Sequence, residues 1–161
     1  MKKFLKMCES IQNDKCVIVE NEHEIKLSFK ELKKECFKYA QYNFQGRTYI
    51  NADTGREIHI SRQGLGEWKM KSKTREQVLS IKILNQLLEN ATFDHHAPDE
   101  KARPNVESFS YFNCQCIING MTFKAIITTK RTMPYGDKYY HHYLENIKIK
   151  PCSGTAPTIS G

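Results

Sequence analysis

The chain has 161 residues, of which 39% are hydrophobic and 27% are charged, and its formal net charge is +7. This length suits one domain, which would bury roughly 70% of the surface of the unfolded chain. No apolar run approaches the roughly 20 residues that span a bilayer, and Lys6 and Glu9 interrupt the start of a signal peptide. The composition therefore favours a cytoplasmic protein with no membrane partner, and the basic balance favours an anionic partner.

The first half of the chain predicts short hairpins and a capped helix. Residues 1–15 are expected to be helical, and the segments 16–20 and 24–28 flank a polar turn, which indicates a hairpin. Ser28 followed by Glu31 is a capping-box pattern, and it predicts a helix that runs to about residue 42.

The middle of the chain alternates between turn signals and helical periodicity. Two glycines two residues apart predict a short, broken helix, and Thr74 with Gln77 forms a second capping box. The predicted elements are a hairpin of 47–51 with 56–61, a broken helix at 61–68, a long helix over 75–91 and a polar loop over 92–107.

The C-terminal third predicts a three-stranded unit. Asn119-Gly120 lies between two alternating runs, as in a type I′ hairpin turn, and a third strand-like run follows a Pro-Gly turn. Pairing of residue 118 with residue 121 divides the hairpin into two faces. The apolar face holds Phe112, Cys114, Cys116, Ile118, Met121, Phe123, Ala125 and Ile127, and the other holds Tyr111, Asn113, Gln115, Thr122, Lys124, Thr128 and Lys130.

These elements predict an α+β fold in which helices pack on one face of a mainly antiparallel β-sheet. We expect an N-terminal extension over 1–45, the α+β domain over 46–150 and a flexible tail over 151–161. The six cysteines are expected to be reduced, and their spacing matches no zinc motif, so neither a metal nor a cofactor is predicted.

Residues 49–150 resemble a known group of domains in an ordered string of features. These are Tyr49-Ile50-Asn51, Thr54-Gly55-Arg56-Glu57-Ile58, Ile60-Ser61-Arg62-Gln63-Gly64, Leu87-Leu88-Glu89-Asn90-Ala91, Asn119-Gly120, Tyr139-Tyr140-His141-His142 and Glu145-Asn146-Ile147. The string is similar to the polyvalent-protein-associated domains of phages and mobile elements that are linked to the barnase, EndoU and RelE-like nuclease superfamily. The resemblance implies helices on one face of a four-stranded antiparallel sheet and RNA cleavage on the other face.

A metal-independent endoribonuclease needs a general base, a general acid and a cation for the developing charge. His141 and His142 are the candidates for the proton roles, but neighbouring strand residues point to opposite faces, so only one can lie on the open face. If Arg131 opposes Lys138, Thr128 pairs with His141, and Tyr139 and Tyr143 join that face, whereas a one-residue slip substitutes His142 and Tyr140. The candidate catalytic residues are His141, His142, Lys124, Thr128, Tyr139 and Tyr140.

Other residues are candidates for substrate binding, namely His95, His96, Lys130, Arg62 and Tyr111. The leading prediction is a mobile-element-associated, RNase-like domain that binds RNA and could also cleave it by metal-independent acid/base chemistry. The alternative is a non-catalytic module of a larger phage or conjugative protein, which docks a partner protein or nucleic acid. Convergence of His, Lys and Thr or Tyr side chains on one point would distinguish the enzyme.

Overall fold

The structure is a computed structural model, and it describes residues 16–133 and 136–147. The predicted N-terminal helix over 1–15 and the predicted tail over 151–161 lie outside these residues. The strands are β1 (Val17–Ile18), β2 (Thr48–Ile50), β3 (Glu57–His59), β4 (Thr92–Pro98), β5 (Val106–Ile118), β6 (Met121–Thr132) and β7 (Gly136–Asn146). The helices are α1 (Glu22–Ile25), α2 (Phe29–Asn43), α3 (Arg62–Lys71), α4 (Arg75–Ser80) and α5 (Leu84–Asn90), with a 3-10 turn at Ile81–Ile83.

The strands form one seven-stranded sheet in the order β1-β5-β6-β7-β3-β2, and β4 also pairs with β5. The pairings β1–β5 and β3–β7 are parallel, and the remaining ones are antiparallel. The α+β prediction is therefore confirmed, although the sheet is mixed and has more strands than the resemblance implies.

The hairpin at Asn119-Gly120 has the predicted register, with Ile118 opposite Met121. Both turn residues have positive φ, 51° for Asn119 and 80° for Gly120, as a type I′ turn requires. The inward side chains pack in one core with those of α2, α4 and α5, and only Met121 of the predicted apolar face is exposed. The buried inward residues are Phe112, Cys114, Cys116, Ile118, Phe123, Ala125 and Ile127.

Both predicted helices with capping boxes start where the sequence places them. Ser28 and Glu31 make reciprocal cap hydrogen bonds, and the Thr74 hydroxyl accepts from the Gln77 amide. The core side chains of α2 belong to the same cluster as those of the sheet. The cysteines that pack there, Cys36, Cys114 and Cys116, are unbridged thiols.

Four sequence expectations are wrong in detail. Residues 16–28 do not form a hairpin, because β1 pairs in parallel with β5 and Asn21 caps the short helix α1 through the Glu24 amide, 2.7 Å away. The long helix is divided by the 3-10 turn at Ile81–Ile83, and the broken helix after Ser61 is a continuous α3. The polar loop begins as strand β4, an exposed edge.

Helix α3 takes the place of a strand beside β7. Strand β3 pairs with β7 only at Ile58 and His59, and then the chain turns into α3, which packs against the rest of β7. The approach is so close that a β-carbon on Gly64 would overlap the carbonyl oxygen of Tyr139. As a result, the C-terminal turn of α3 brings Lys71 to the open face of the sheet.

No helix among the residues that the structure describes is long and apolar enough to cross a membrane.

Candidate nucleic-acid interface

The open face of the sheet carries a row of polar and aromatic side chains across four strands. His95 of β4 lies opposite Tyr111 of β5, Tyr111 opposite Thr128 of β6, and Thr128 opposite His141 of β7. Tyr111, Thr128 and His141 of this row line a groove of about 560 Å³ that the loop after β4 and the end of α3 also enclose, whereas His95 does not line it. Its lining includes Lys71, Asp99, Lys101, Arg103, Phe109, Tyr111, Thr128, Tyr140, His141 and Tyr143.

A β-bulge in β7 decides which tyrosine joins the groove. Thr128 pairs with His141 but Thr129 pairs with Tyr139, so Tyr140 is an extra residue in β7. Strict alternation from His141 would place Tyr139 on the open face, but the bulge turns Tyr139 into the core, where it is 1% exposed. Tyr140 instead lies beside His141, with ring centroids 5.1 Å apart.

The bulge also moves the register near the turn. Arg131 lies opposite Asp137 rather than Lys138, and Lys138 lies opposite Lys130. The pairing of Thr128 with His141 is one of the two alternatives that the sequence leaves open, but the pairing of Arg131 with Lys138 from which that alternative follows does not occur.

His142 faces the helices and is fully buried in a hydrogen-bonded network. The Ser80 hydroxyl donates to the Gln77 carbonyl oxygen at 2.6 Å, so its oxygen accepts from His142 Nε2–H at 2.7 Å. His142 Nδ1 is then the acceptor for the Tyr139 hydroxyl, also at 2.7 Å. This arrangement fixes one neutral tautomer of the imidazole.

Burial explains the electrostatics of this network. Desolvation, with a smaller repulsion from His141, lowers the pKa of His142 to about 3. Desolvation also raises the pKa of Tyr139 well above its ordinary value. Both side chains are neutral at physiological pH and enclosed by protein, so they contribute to the core rather than to a surface site.

His141 is the histidine of the groove. Its side chain is partly buried between Tyr140 and Tyr143, and desolvation lowers its pKa to about 4, with a further contribution from Lys71 and an opposing one from Glu67. The imidazole is therefore neutral at pH 7. A neutral histidine can accept a proton or stack on a base.

Cations surround the aromatic floor of the groove next to His141. The ammonium groups of Lys71 and Lys130 lie 4.8 and 4.5 Å from the centroid of the Tyr140 ring. The Arg103 guanidinium lies 5.4 Å from the ring of Phe109, which is itself 5.7 Å from Tyr140. These contacts fall within the range of cation–π attraction and hold the cations beside the groove.

The loop after β4 is fixed by one carboxylate. Asp99 accepts hydrogen bonds from the backbone amide and the guanidinium of Arg103, both at 2.7 Å, and from the Lys101 amide at 3.1 Å. These bonds orient Arg103 toward the open face, where its guanidinium lies near Phe109.

Other candidate residues lie apart from this groove. Lys124 is on the same face, but it lies four residues from Thr128 along β6, so the two backbones are roughly 13 Å apart. It lies opposite Glu145. His96 is turned to the other face, where its Nδ1 lies 2.8 Å from the Ser110 hydroxyl. Arg62 is exposed in the first turn of α3 and does not line the groove.

Several groove residues were not candidates from the sequence. Phe109 shares a face with Tyr111 by strand alternation, so its position could have been found from the predicted register. Lys71 belongs to the densest basic segment of the sequence, but its place in the groove depends on the packing of α3, and that of Arg103 depends on the Asp99 loop. Among the described residues, no three His, Cys, Asp or Glu side chains are grouped to hold a metal ion.

Comparison with family models matches residues 27–140 to the family described as large polyvalent protein-associated domain 3. The match covers more than half of the chain. This chain belongs to that family. The matched part of this polyvalent protein-associated domain runs from just before α2 into β7 and ends one residue before His141. Comparisons with curated proteins and with solved structures gave no match.

Proposed function

We propose that this polyvalent protein-associated domain is an RNA-binding module of a larger phage or mobile-element protein, and that the groove on its open face holds single-stranded RNA. The observation that carries this proposal is the interleaving of aromatic rings and cations along β5, β6 and β7. Tyr140 and Tyr143 supply flat apolar surface, the buried Phe109 packs against Tyr140, and Lys71 and Lys130 lie beside the Tyr140 ring.

The physical chemistry of single-stranded nucleic acids supports this use of the groove. Stacking of a base on an aromatic side chain contributes about 1–3 kcal/mol, and it tolerates any base. Cations near the rings meet the phosphates, and in the groove Lys71, Lys101 and Arg103 outnumber the carboxylates Asp99 and Glu100. The volume of about 560 Å³ is in the range of sites that enclose a small organic ligand.

Cleavage of the bound RNA is a second candidate function, and it would relate the domain to the RNase-like superfamily. The position of His141 favours it, because a neutral imidazole opposite Thr128 and near Lys71 can accept a proton beside a cation. Its pKa of about 4 makes it a weak base, so the cation would have to supply much of the rate enhancement. A two-histidine mechanism has less support. His95 is three strands away from His141, or roughly 14 Å between backbones, so the acid would have to be Tyr140 or Lys71.

Fluorescence anisotropy with a labelled oligouridine tests the binding proposal. Tyr143 is 41% exposed and lies along the His141 ring, so Tyr143→Ala should weaken binding about tenfold through loss of one base stack. Tyr42→Ala is the matched control, because Tyr42 is 85% exposed on α2, away from the open face. Equal affinities for the two variants would argue against the groove.

The same oligonucleotide, incubated in EDTA, separates binding from cleavage. If the domain is a nuclease, His141→Gln abolishes fragments while the dissociation constant stays within about threefold of wild type, since a general base contributes about 10²–10⁴ to the rate. Binding without fragments from the wild-type protein would leave the non-catalytic module as the function.

A further inference from the structure

In a small cleft next to the groove, every charged side chain of the lining is a cation. It has a volume of about 240 Å³ and lies between the start of α3 and the strands β6 and β7. Three of its side chains are cationic, Arg103, Lys130 and Lys138, and no carboxylate lines it. Hydroxyl and amide groups complete its wall, through Ser61, Gln63 and Thr132.

The two lysines of this cleft are directly opposite each other in the sheet. Lys130 and Lys138 form a cross-strand pair, in which like charges are destabilising. Burial is the largest cause of the lowered pKa of Lys130, and repulsion from Arg103 and Lys138 adds to it. Two carboxylates, Glu67 and Asp99, attract the Lys130 ammonium, but neither lines the cleft. Asp99 is also hydrogen-bonded to Arg103. An anion between the lysines would remove this repulsion.

The cleft is continuous with the groove, because Arg103 and Tyr140 line both. At about 240 Å³ it is smaller than most sites for whole organic ligands, but it can hold a phosphoryl group. A phosphate monoester presents three terminal oxygens and up to two negative charges, whereas an internal diester presents two oxygens and one charge. A cleft with three cations in its lining matches the monoester better.

We propose that the cleft between Arg103, Lys130 and Lys138 binds the terminal phosphate of an RNA strand whose bases lie in the adjoining groove. The inference rests on the proposed function for the position of the strand, but the affinity of the cleft for phosphate does not. With this site, the domain would bind RNA strands with a phosphorylated end in preference to unphosphorylated ones.

The experiment compares three oligouridines of one length, with a 5′-phosphate, a 3′-phosphate or neither. We expect the wild-type protein to bind one phosphorylated form about tenfold more tightly than the unphosphorylated form, as one or two charge-assisted hydrogen bonds would give. Lys138→Gln should remove this difference, and Lys138→Arg should restore part of it. Lys34→Gln, an exposed charge change on α2, should leave it intact.

A second measurement tests the cleft without RNA. Pyrophosphate should raise the melting temperature of the wild-type and Lys34→Gln proteins more than that of Lys138→Gln, compared at equal ionic strength. If the oligouridines bind with equal affinity whether phosphorylated or not, the terminal-phosphate inference is overturned while the groove stands. If none of them binds, the proposed function fails, and the pyrophosphate shift alone decides whether the cleft binds phosphate.

Discussion

The imidazole of His142 is surrounded by hydrogen-bonding partners that have no access to water. Ser80 and Tyr139 bind its two nitrogens, and Gln77 Nε2 donates to its backbone carbonyl oxygen at 2.8 Å. Removal of the side chain would leave a cavity and would deprive the buried hydroxyls of Ser80 and Tyr139 of a partner. Both effects destabilise a folded protein.

We therefore expect His142→Ala to lower the free energy of unfolding by about 3 kcal/mol, measured by urea denaturation followed by circular dichroism. His141→Ala is the comparison, because His141 lies at the groove and no hydrogen bond to its buried Nδ1 is present among the described residues. Its effect should be less than half as large. Equal losses in the two variants would contradict the assignment of opposite roles.

Alanine substitutions at the two glycines of α3 are expected to change the melting temperature in opposite directions. A β-carbon on Gly64 would overlap the Tyr139 carbonyl oxygen, whereas nothing lies within 4 Å of one on Gly66. Alanine has a higher helix propensity than glycine by about 1 kcal/mol, so Gly66→Ala should raise the melting temperature. Gly64→Ala should lower it, because α3 must move away from β7. Differential scanning calorimetry of both variants measures the contrast, and a rise in both would show that α3 is not tightly packed there.

The roles of the two histidines could be predicted only in part from the sequence. Alternation along a strand requires that His141 and His142 face opposite ways, and they do. The position of Tyr139 could not be derived in the same way, because the extra residue at Tyr140 reverses the alternation. This bulge has no glycine or other local signal, and it lies where α3 packs closely against β7.

At the scale of elements, the groove depends on β4, which the sequence did not predict as a strand. Its seven residues, Thr92–Pro98, lack an apolar face, because the strand covers only the edge of the sheet and is mostly exposed. The long hairpin of β5 and β6 was predicted with its register, since its turn and its alternation agree. Periodicity thus revealed the buried strands and missed the exposed one.

The division of the predicted long helix has a similar cause. Its apolar stripe was correctly placed, but the helix tightens into a 3-10 turn after Ser80, whose side chain bonds to Gln77 and His142. The contact of Ser80 with His142 on a distant strand gives no signal in the local sequence. No glycine or proline marks the change.

The cations at Tyr140 give a prediction about salt. If Lys71 and Lys130 each contact a phosphate, the logarithm of the RNA association constant should fall with the logarithm of salt concentration, by about 0.7 units of slope per contact. Lys71→Gln and Lys130→Gln should each make the slope shallower by about that amount, as measured by anisotropy over a salt series. Lys34→Gln controls for net charge. Parallel slopes for all four proteins would remove these lysines from the interface.

At the scale of the whole molecule, the two parallel strand pairings could not be predicted from the sequence. β1 joins β5 across about a hundred residues, and β3 joins β7 through only two residue pairs. Local turn chemistry predicts antiparallel hairpins, because their partners are neighbours in sequence, and it has no information on such distant contacts. The sheet is therefore wider than the three-stranded unit that the C-terminal third predicts.

The two histidines also make the stability of the whole fold depend on pH. The pKa values of His141 and His142 in the folded protein are about 4 and about 3, whereas an unfolded histidine titrates near 6.5. The unfolded chain therefore takes up protons first as the pH falls. The stabilisation is fully present above about pH 6.5 and is lost progressively as the pH falls toward the folded values.

We expect the melting temperature to fall between pH 7.5 and pH 5, a window that lies above the ordinary titration range of carboxylates. For the fully buried His142 the slope approaches about 1.4 kcal/mol per pH unit below pH 6, and for the partly exposed His141 it is smaller. His142→Gln should melt at a lower temperature than wild type at pH 7.5 but should lose less stability on acidification. Since glutamine does not titrate, the melting temperatures of the two proteins should converge as the pH falls toward 5. A constant difference between them across this range would show that His142 is not held neutral by its burial.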